Sequence, residues 1–466
     1  MKSEIFRPYD IRGQWQIDFD ANDVIAITSS FLTYFSQLEP SKAIVVIGHD
    51  ARPSSKEIYD ICVDTALAQG FLVVGLGLCT TPMVNIAYHC NPLYACRVMI
   101  TASHNPWSHN GFKLFYRAGA VWREELAKIA ALATGMVNHS DGCPGALLDA
   151  TPIISFYTVI LGNALQTLPW AGPILVDCMH GAAGPILKKI LAEYPKCQVR
   201  LFRETPYCDL PDKNSCALAG PDPSNITNLQ PTIKELRNNG LPLAMLFDGD
   251  VDRFMVVTAE GRLLSGDELL VLFAEHFLPK QASFAANVAG SVLLELVASR
   301  NNQKVCRVPV GVSALKEKML ADELALGGEP SAHFLFLKEH YLVDDALFMF
   351  CKFMQIITKP SFLLSSWIVQ LPTVYSMPIQ KIFFASRAGT LHAQTLLLEH
   401  LKNMEYPASF TDGIRLFFSD FAWMLIRPSN TENCLSWRIE ADTEQSFCKL
   451  KDFFATKILP VIKGFG

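Results

Sequence analysis

The chain lacks three features that would assign it to common protein classes. Its 13 cysteines include no Cys-x-x-Cys pair, so we expect reduced thiols in a cytoplasmic protein rather than a zinc site or a disulfide framework. No stretch approaches the ~20 apolar residues of a membrane-spanning helix, and the charged N-terminus is unlike a signal peptide. The net charge of −5 lacks the basic excess that nucleic-acid binding needs. Neither a membrane nor nucleic acid is therefore expected as a partner.

Strand-like apolar runs alternate with helical patterns along most of the chain. Ala43–Ile47 is predicted to be a strand, followed by a helix over Lys56–Gly70 and a second strand at Phe71–Gly75. Such a βαβ unit indicates a mostly parallel sheet. A further strand, Cys96–Ile100, leads directly into a polar loop.

The same alternation recurs after a polar interruption. A strand is predicted at Pro173–Val176, with a helix that ends near Glu193. The proline-rich stretch Thr205–Thr232 is predicted to form long loops, and Leu243–Phe247 is predicted to be the next strand.

A third unit is predicted to begin with a strand at Phe254–Thr258 and to continue through a helix from Gly266. From Leu371 onward the pattern changes, with strands at Ile414–Phe418 and Trp423–Ile426 set between helices. Single hydrophobic cores stop growing near ~250–300 residues, so a chain of 466 residues should contain several. We predict three similar mixed α/β domains, at 1–145, 146–253 and 254–368, and a smaller C-terminal α+β domain at 369–466.

The loop after Cys96–Ile100 holds the first candidate site. Ser103 and His104 lie in it, and Lys113 follows ten residues after the serine. Open α/β sheets bind ligands at the carboxyl ends of their strands, where an imidazole and an ammonium group can move protons and balance charge. The absence of a Gly-x-Ser-x-Gly elbow disfavours a hydrolase triad. On spacing alone, an ordinary polar turn remains an alternative.

The loop after Leu243–Phe247 is the stronger signal. Asp248, Asp250 and Asp252 alternate along it, and Arg253 follows. Three short carboxylates suit Mg²⁺ bound together with a phosphate oxygen, and the arginine can donate to a phosphate. An EF-hand is excluded because its sixth position holds Arg253 and its twelfth holds an alanine.

Two further loops are weaker signals when each is taken alone. The first, residues 327–333, offers Glu329, Ser331 and His333, a set that suits the hydroxyls of a sugar. The second, residues 427–432, offers an arginine, two hydroxyls and backbone N–H groups that suit a phosphate. For each of them an unspecialised polar loop is about as good an interpretation.

In order along the chain, these loops resemble those of the α-D-phosphohexomutase superfamily, the phosphomannomutases and phosphoglucomutases. The resemblance begins at residues 6–13 (Phe-Arg-Pro-Tyr-Asp-Ile-Arg-Gly) and extends through the loop at residues 48–55, which contains Arg52. It continues through the Ser103 loop and the Asp-Gly-Asp-Val-Asp-Arg loop. It ends with Gly-Glu-Pro-Ser and Arg-Pro-Ser-Asn-Thr-Glu. The serine and aspartate loops are highly specific to the family. The resemblance implies four domains around a central active-site cleft.

The resemblance also implies an activity and a set of roles. The enzyme would interconvert hexose 1-phosphate and hexose 6-phosphate, as a monomer or dimer, with one Mg²⁺ per chain and a hexose 1,6-bisphosphate as intermediate and activator. The implied catalytic residues are Ser103, His104, Lys113 and Arg12. The implied metal ligands are Ser103, through its phosphate, Asp248, Asp250 and Asp252. The implied substrate-binding residues are Tyr9, Arg253, Glu329, Ser331, His333, Arg427, Ser429, Asn430 and Thr431.

Several positions depart from the family pattern. Ala332 replaces a common glycine, Val312 a histidine, Asn433 a proline and Ser436 an arginine. The sequence Ser-Ala-His at residues 331–333 also occurs among bacterial phosphomannomutases, which favours mannose as the sugar of the substrate. A phosphoglucomutase, a phosphoglucosamine mutase and a sugar-phosphate-binding protein with little turnover are the alternatives.

Overall fold

The computed structural model describes residues 1–39, 44–134, 144–166, 173–194, 198–213, 216–402, 406–429 and 433–463. The chain divides into two units, Met1–Leu264 with Lys338–Pro360 and Ser265–Leu337 with Ser361–Gly466. Each unit holds two of the four β-sheets. The first three sheets are mixed and the fourth is antiparallel, which confirms the predicted fold class of three α/β sheets and a C-terminal α+β fold.

The first sheet has the order β1-β5-β4-β2-β3-β7, and β6 pairs with β5. Its strands are β1 (Ile11–Gln14), β2 (Ile44–His49), β3 (Leu72–Leu78), β4 (Cys96–Ile100), β5 (His109–Tyr116), β6 (Gly119–Ala120) and β7 (Leu147–Leu148). Its helices are α1 (Ala21–Leu38), α2 (Ser55–Ala68), α3 (Thr81–Cys90) and α4 (Glu124–Ala133). Strands β2 and β4 are buried almost throughout, because helices cover both faces of such sheets and the strands become continuous apolar runs.

The local sequence of α1 determines where this helix begins and which face it buries. Asp20 accepts from the backbone N–H of Asp23, whose carboxylate accepts from the N–H of Asp20, which closes a capping box. Val24, Ile27 and Phe31 then recur at helical spacing and are fully buried.

The second sheet has the order β12-β11-β10-β8-β9. Its strands are β8 (Ile174–Asp177), β9 (Val199–Phe202), β10 (Leu243–Phe247), β11 (Phe254–Thr258) and β12 (Leu263–Leu264). The helices around it are α5 (Thr151–Gln166), α6 (Ala183–Glu193) and α7 (Ile226–Asn238). The prediction of loops throughout Thr205–Thr232 was wrong at its end, because α7 begins at Ile226 and accommodates Pro231 within it.

The third sheet has the order β14-β13-β15-β16. Its strands are β13 (Ser283–Asn287), β14 (Lys304–Val308), β15 (Leu326–Gly328) and β16 (Phe334–Phe336), with helices α8 (Gly266–Phe277), α9 (Leu293–Arg300) and α10 (Val312–Ala321). The next helix, α11 (Ala346–Ile357), returns to the first unit. The predicted third domain at 254–368 therefore needs two corrections. Phe254–Thr258 pairs antiparallel with β10 in the second sheet, and α11 lies in the other unit.

The three mixed sheets share a four-strand core. The orders β5-β4-β2-β3, β11-β10-β8-β9 and β16-β15-β13-β14 correspond strand for strand. In each core the first strand is antiparallel to the second, and the other pairs are parallel. The loops at Ser103, Asp248 and Glu329 occupy the same connection in the three cores, after the last parallel strand.

The fourth sheet has the order β17-β22-β21-β20-β19, and β18 also pairs with β22. Its strands are β17 (Tyr375–Ser376), β18 (Gln380–Phe383), β19 (Ala408–Ser409), β20 (Ile414–Ser419), β21 (Ala422–Pro428) and β22 (Cys434–Ala441). The helices of this region are α12 (Leu364–Gln370), α13 (Arg387–Lys402), α14 (Glu444–Phe453) and α15 (Leu459–Lys463). Leu397, Leu435 and Ile439 are fully buried in the core that its helices cover.

The lengths of the helices and the state of the cysteines bear on the expected class of protein. None of the described helices combines the length and apolar character needed to span a membrane. Every cysteine in the described ranges is a free thiol, and most are buried. Cys448, on α14, is exposed.

Candidate active site

The first unit brings Ser103 directly against the aspartate loop. Ser103 is 1% exposed, and its Oγ donates to Asp248 Oδ2 at 2.8 Å and lies 3.1 Å from His104 Nδ1. Its backbone N–H donates to Thr101 Oγ1 at 2.8 Å. Its φ of +51° is in the left-handed region, which non-glycine residues adopt uncommonly.

The three aspartates form a buried carboxylate cluster. One oxygen from each of Asp248, Asp250 and Asp252 lies within 4.8 Å of the others, and none of the residues is more than 3% exposed. Burial, followed by the charges of Asp252 and Asp250, raises the pKa of Asp248 well above its ordinary value. A bound cation relieves such repulsion.

The cluster fits a hard divalent metal ion. Asp250 Oδ1 is buried and accepts no hydrogen bond from the described residues, and buried carboxylate oxygens rarely lack a partner unless an ion fills that role. Carboxylate oxygens with an adjacent seryl oxygen are ligands that Mg²⁺ prefers. The predicted trio is thus assembled, together with Ser103.

Lys113 on β5 balances part of this negative charge. Its Nζ donates to Asp250 Oδ2 at 2.6 Å and to Asp252 Oδ2. Burial acts to lower the pKa of Lys113, but the charges of Asp250 and Asp252 outweigh it, and the pKa is raised. Lys113 is therefore a fixed positive charge beside the serine loop.

Two predicted arginines also lie beside this cluster. Arg12 is paired with Asp10 at 2.7 Å, and its Nη1 donates to Ala102 O and Asn105 Oδ1 in the serine loop. Arg253 Nε lies 3.9 Å from Asp248 Oδ2. Both guanidinium groups can therefore contribute charge near Ser103.

Tyr9, the remaining predicted residue of this unit, packs as an aromatic side chain. Its ring stacks on Trp122 with 5.8 Å between the ring centroids. The role of Tyr9 in substrate binding stays a prediction.

The loop at residues 327–333, called the sugar loop after its predicted ligand, lies in the second unit and is organised around Glu329. Glu329 Oε1 accepts from Asn287 Nδ2 and from the N–H of Gly311, each at 2.8 Å. Ser331 Oγ donates to Glu329 Oε2 at 3.3 Å and lies 3.0 Å from His333 Nδ1. The three predicted residues therefore form one hydrogen-bonded cluster.

The charge of Glu329 is maintained despite its burial. Burial acts to raise its pKa, but His333, Asn287 and the Gly311 N–H outweigh this effect and lower the pKa. A buried ionised carboxylate of this kind is a strong acceptor for sugar hydroxyls. Ala332 between the predicted residues has φ of +68°, a conformation in which the family's usual glycine carries no steric cost.

The loop at residues 427–432, called the phosphate loop after its predicted ligand, is described by the structure only for residues 427–429. Arg427 Nη2 lies 3.1 Å from Asp412 Oδ2, and the Ser429 N–H donates to Cys434 O at 2.9 Å. Ser436 faces Arg427 across β21 and β22, where its short side chain leaves the guanidinium without the neighbouring arginine of the family pattern. The predicted Asn430 and Thr431 lie outside the described residues.

A hydrogen-bonded chain joins the sugar and phosphate loops within the second unit. The Gly311 N–H donates to Glu329, and the preceding Val310 N–H donates to Asp412 Oδ2 at 3.0 Å. Asp412 in turn pairs with Arg427. The two predicted binding loops are therefore connected through residues 310 and 311.

Sequence reasoning missed several residues that support these loops. Thr81 Oγ1 donates to Asp250 Oδ2 at 2.6 Å, and Asn287 and Asp412 hold Glu329 and Arg427. Thr81 follows β3 and Asn287 ends β13, so the rule that ligands bind at the carboxyl ends of strands could have found both. Asp412 lies in a loop of ordinary composition and carries no comparable signal.

Three family models, several curated proteins and solved structures are similar to this chain. Phosphoglucomutase/phosphomannomutase alpha/beta/alpha domains I, II and III match residues 3–137, 164–261 and 265–375. A phosphomannomutase/phosphoglucomutase from Pseudomonas putida is 28% identical, over 99% of this chain and 96% of its own. A probable phosphoglucosamine mutase from Methanococcoides burtonii is 28% identical over 89% and 90%. The solved structure of a phosphoglucomutase/phosphomannomutase family protein from Burkholderia thailandensis matches with a TM-score of 0.84 and 24% identity, over 99% and 98%.

Proposed function

Because the chain belongs to the phosphoglucomutase/phosphomannomutase family, we propose that its site residues carry out mutase chemistry through a phosphorylated Ser103. The chain is a phosphohexomutase, an enzyme that transfers phosphate between two positions of a hexose phosphate.

Two phosphoryl transfers at one serine account for the reaction. Phosphorylated Ser103 transfers its phosphoryl group to the free hydroxyl of a hexose monophosphate, which gives a hexose 1,6-bisphosphate and a serine hydroxyl. The bisphosphate then reverses its orientation, and its other phosphoryl group passes to Ser103. The oxygen that this group leaves takes up the proton that the serine gives up. A hexose 1,6-bisphosphate can therefore prime the enzyme by giving one phosphoryl group to Ser103 and leaving as a monophosphate. In each later turnover, the bisphosphate formed in the first transfer is used in the second.

His104 and Lys113 have different tasks in this scheme. His104 Nδ1, 3.1 Å from Ser103 Oγ, holds the proton that leaves and returns to the serine oxygen. Lys113, fixed between Asp250 and Asp252, neutralises charge on the transferring group together with Arg12 and Arg253. Phosphoryl transfer depends mainly on such positioning and charge neutralisation.

Asp248, Asp250 and Asp252 would hold one Mg²⁺ per chain, together with an oxygen of the phosphorylated Ser103. The bound ion supplies further charge neutralisation for the phosphoryl group. Support comes from the buried carboxylates, from the Asp250 oxygen that lacks a donor among the described residues and from the contact of Ser103 with Asp248.

Substrate recognition would fall to the second unit. Glu329, Ser331 and His333 are proposed to bind sugar hydroxyls. The phosphate that is not reacting would be bound by Arg427, Ser429, Asn430 and Thr431. The Ser-Ala-His form favours mannose as the sugar, whereas the relatives carry names that include glucose and glucosamine enzymes. A monomer or dimer in the cytoplasm stays a prediction.

The observation that carries the proposal is the hydrogen bond of 2.8 Å from Ser103 Oγ to Asp248 Oδ2. This bond supports the proposal because it joins the proposed phosphoryl carrier to one aspartate of the proposed metal cluster, 145 residues away in the sequence. The test is a coupled assay of mannose 1-phosphate, glucose 1-phosphate and glucosamine 1-phosphate, with a trace of hexose 1,6-bisphosphate and Mg²⁺. We expect turnover to be highest with mannose 1-phosphate. Binding of all three sugars without turnover would instead identify a sugar-phosphate-binding protein.

A further inference from the structure

A buried arginine collects the carbonyl groups of the serine loop. Arg52 is 1% exposed and follows β2. Its Nη2 donates to Ser103 O at 2.5 Å and to Asn105 O at 2.8 Å. Its Nη1 donates to Pro106 O at 2.6 Å and to His109 O at 3.0 Å. One guanidinium group therefore satisfies four carbonyl oxygens in seven consecutive residues.

A buried carboxylate fixes the orientation of this guanidinium. Asp50 Oδ2 accepts from Arg52 Nε at 3.0 Å and from Thr101 Oγ1 at 2.7 Å. Asp50 Oδ1 accepts from the Arg52 N–H and from Ser55 Oγ. Thr101 Oγ1 also accepts from the Ser103 N–H. Arg52 thus binds the Ser103 carbonyl directly, and Asp50 is linked to the Ser103 N–H through the hydroxyl of Thr101.

The backbone of Ser103 needs such support. Its φ of +51° is an uncommon conformation for a residue with a Cβ, and the surrounding structure must maintain it. Its carbonyl also lies close to the aspartate loop, because a Cβ on Gly249 would lie 2.8 Å from Ser103 O. A shift of the Ser103 backbone would therefore turn Oγ away from Asp248.

We propose that Arg52, held by Asp50, is a positioning residue that sets the direction of Ser103 Oγ for phosphoryl transfer. The inference rests on the proposed role of Ser103 as the phosphoryl carrier. Arg52 donates to the backbone of the loop and acts on the reaction only through the serine. A guanidinium has five N–H groups in one plane, whereas a lysine has three on one nitrogen and cannot reach all four carbonyls.

The inference predicts which kinetic constant changes. A misplacement of about 1 Å can cost ~10²-fold in rate, so Arg52→Lys should lower kcat by roughly that factor. The KM for hexose phosphate should change by less than about threefold, because Arg52 is not among the groups proposed to bind the sugar or its phosphate.

Arg97 provides a matched control within the same sheet. It is fully buried at the beginning of β4, whereas Ser103 follows the other end of that strand. Arg97 also donates to backbone carbonyls, those of Tyr94 and Ala95 at 2.9 Å and that of Arg117. Arg97→Lys therefore makes the same chemical change in a similar setting, and it should lower stability without slowing phosphoryl transfer.

The experiment measures single-turnover phosphorylation of metal-loaded, dephosphorylated protein by a hexose 1,6-bisphosphate, followed by intact-protein mass spectrometry. Urea unfolding reports the stability of each variant, and kcat and KM are measured in parallel. We expect Arg52→Lys to be phosphorylated about 100-fold more slowly than wild type, and Arg97→Lys within threefold of it. Arg52→Lys within threefold of wild type, or equal slowing in both variants, would overturn the inference.

A second pair of variants covers the case in which Arg52→Lys does not fold. Thr101→Val removes the hydroxyl that links Asp50 to the Ser103 N–H, and Thr101→Ser retains it. We expect slow phosphorylation in the valine variant and a near-normal rate in the serine variant, and an unchanged rate in the valine variant would contradict the proposal. If the wild-type protein turns over without phosphate on Ser103, the proposed function itself fails, and the inference fails with it.

Discussion

Thr81 offers a sharp test of the metal site because its side chain contacts the carboxylate cluster through a single hydroxyl. Thr81 is 2% exposed, and its Oγ1 donates to Asp250 Oδ2 at 2.6 Å. Its backbone N–H donates separately to Asp250 O at 2.9 Å. Thr81→Val replaces the hydroxyl by a methyl group of similar size and leaves the backbone contact in place. Asp250 Oδ2 then keeps only Lys113 as a described side-chain donor.

The size of the effect follows from the role of the lost contact. Groups that orient metal ligands typically contribute 10–100-fold in metal affinity, so the Kd for Mg²⁺ should rise by that factor, about 1.4–2.8 kcal/mol. The variant also loses a buried hydrogen bond to a charged group, which should lower its free energy of unfolding by roughly 1–3 kcal/mol.

The assay is calorimetric titration of Mg²⁺ into metal-free protein at fixed pH and ionic strength. Thr81→Ser retains the hydroxyl and should bind Mg²⁺ within about threefold of wild type. Equal affinities in the wild type and the valine variant would refute the assignment of Asp250 as a ligand held by Thr81. Weak binding in the serine variant as well would show that the methyl group, and not the hydroxyl, is what matters.

Two further predictions concern the second unit. Arg427→Ala should lower kcat/KM for mannose and glucose phosphates about equally, by roughly 10–150-fold, because it loses a charge-assisted contact of about 1.5–3 kcal/mol. Glu329→Gln should instead change the ratio of kcat/KM between the two sugars. The opposite pattern would show that the proposed division of roles is wrong. Burial raises the pKa of Asp267 from 3.8 to about 6 against the opposing charge of Arg438. Its ionisation in the folded state therefore costs stability as the pH rises from about 4 to 6, up to roughly 3 kcal/mol. Urea unfolding at pH 4.5 and 7 should show a smaller loss of stability with rising pH in Asp267→Asn, and an identical pH dependence in both proteins would contradict this assignment.

Local sequence was sufficient where a strand is an uninterrupted apolar run. Cys96–Ile100 and Leu243–Phe247 were predicted with the bounds that the structure has, because both are buried on each face. Helix α7 was missed because Pro231 and many polar residues hide its helical pattern. Phe254–Thr258 was recognised as a strand but assigned to the wrong sheet, because its antiparallel pairing with β10 has no local signal.

The candidate site shows the same division. Ser103 and the three aspartates were predicted from their loops, and the structure brings them together. Their supports were not predicted, because a contact such as that of Thr81 with Asp250 joins residues 169 positions apart. The loop that contains Arg52 was recognised from its resemblance to the family, but only the folded chain shows the four carbonyl groups that Arg52 binds.

The role of Ser103 as the phosphoryl carrier during turnover can be tested by locating the phosphate on the protein. Wild-type protein and Ser103→Ala are incubated with a hexose 1,6-bisphosphate and Mg²⁺, and their peptides are mapped by mass spectrometry alongside the coupled assay. We expect one phosphate on the peptide that contains Ser103 in the wild type. We expect no phosphate on that peptide in Ser103→Ala, together with loss of most of the activity. Wild-type protein that turns over without phosphate on that peptide would show that Ser103 is not the phosphoryl carrier.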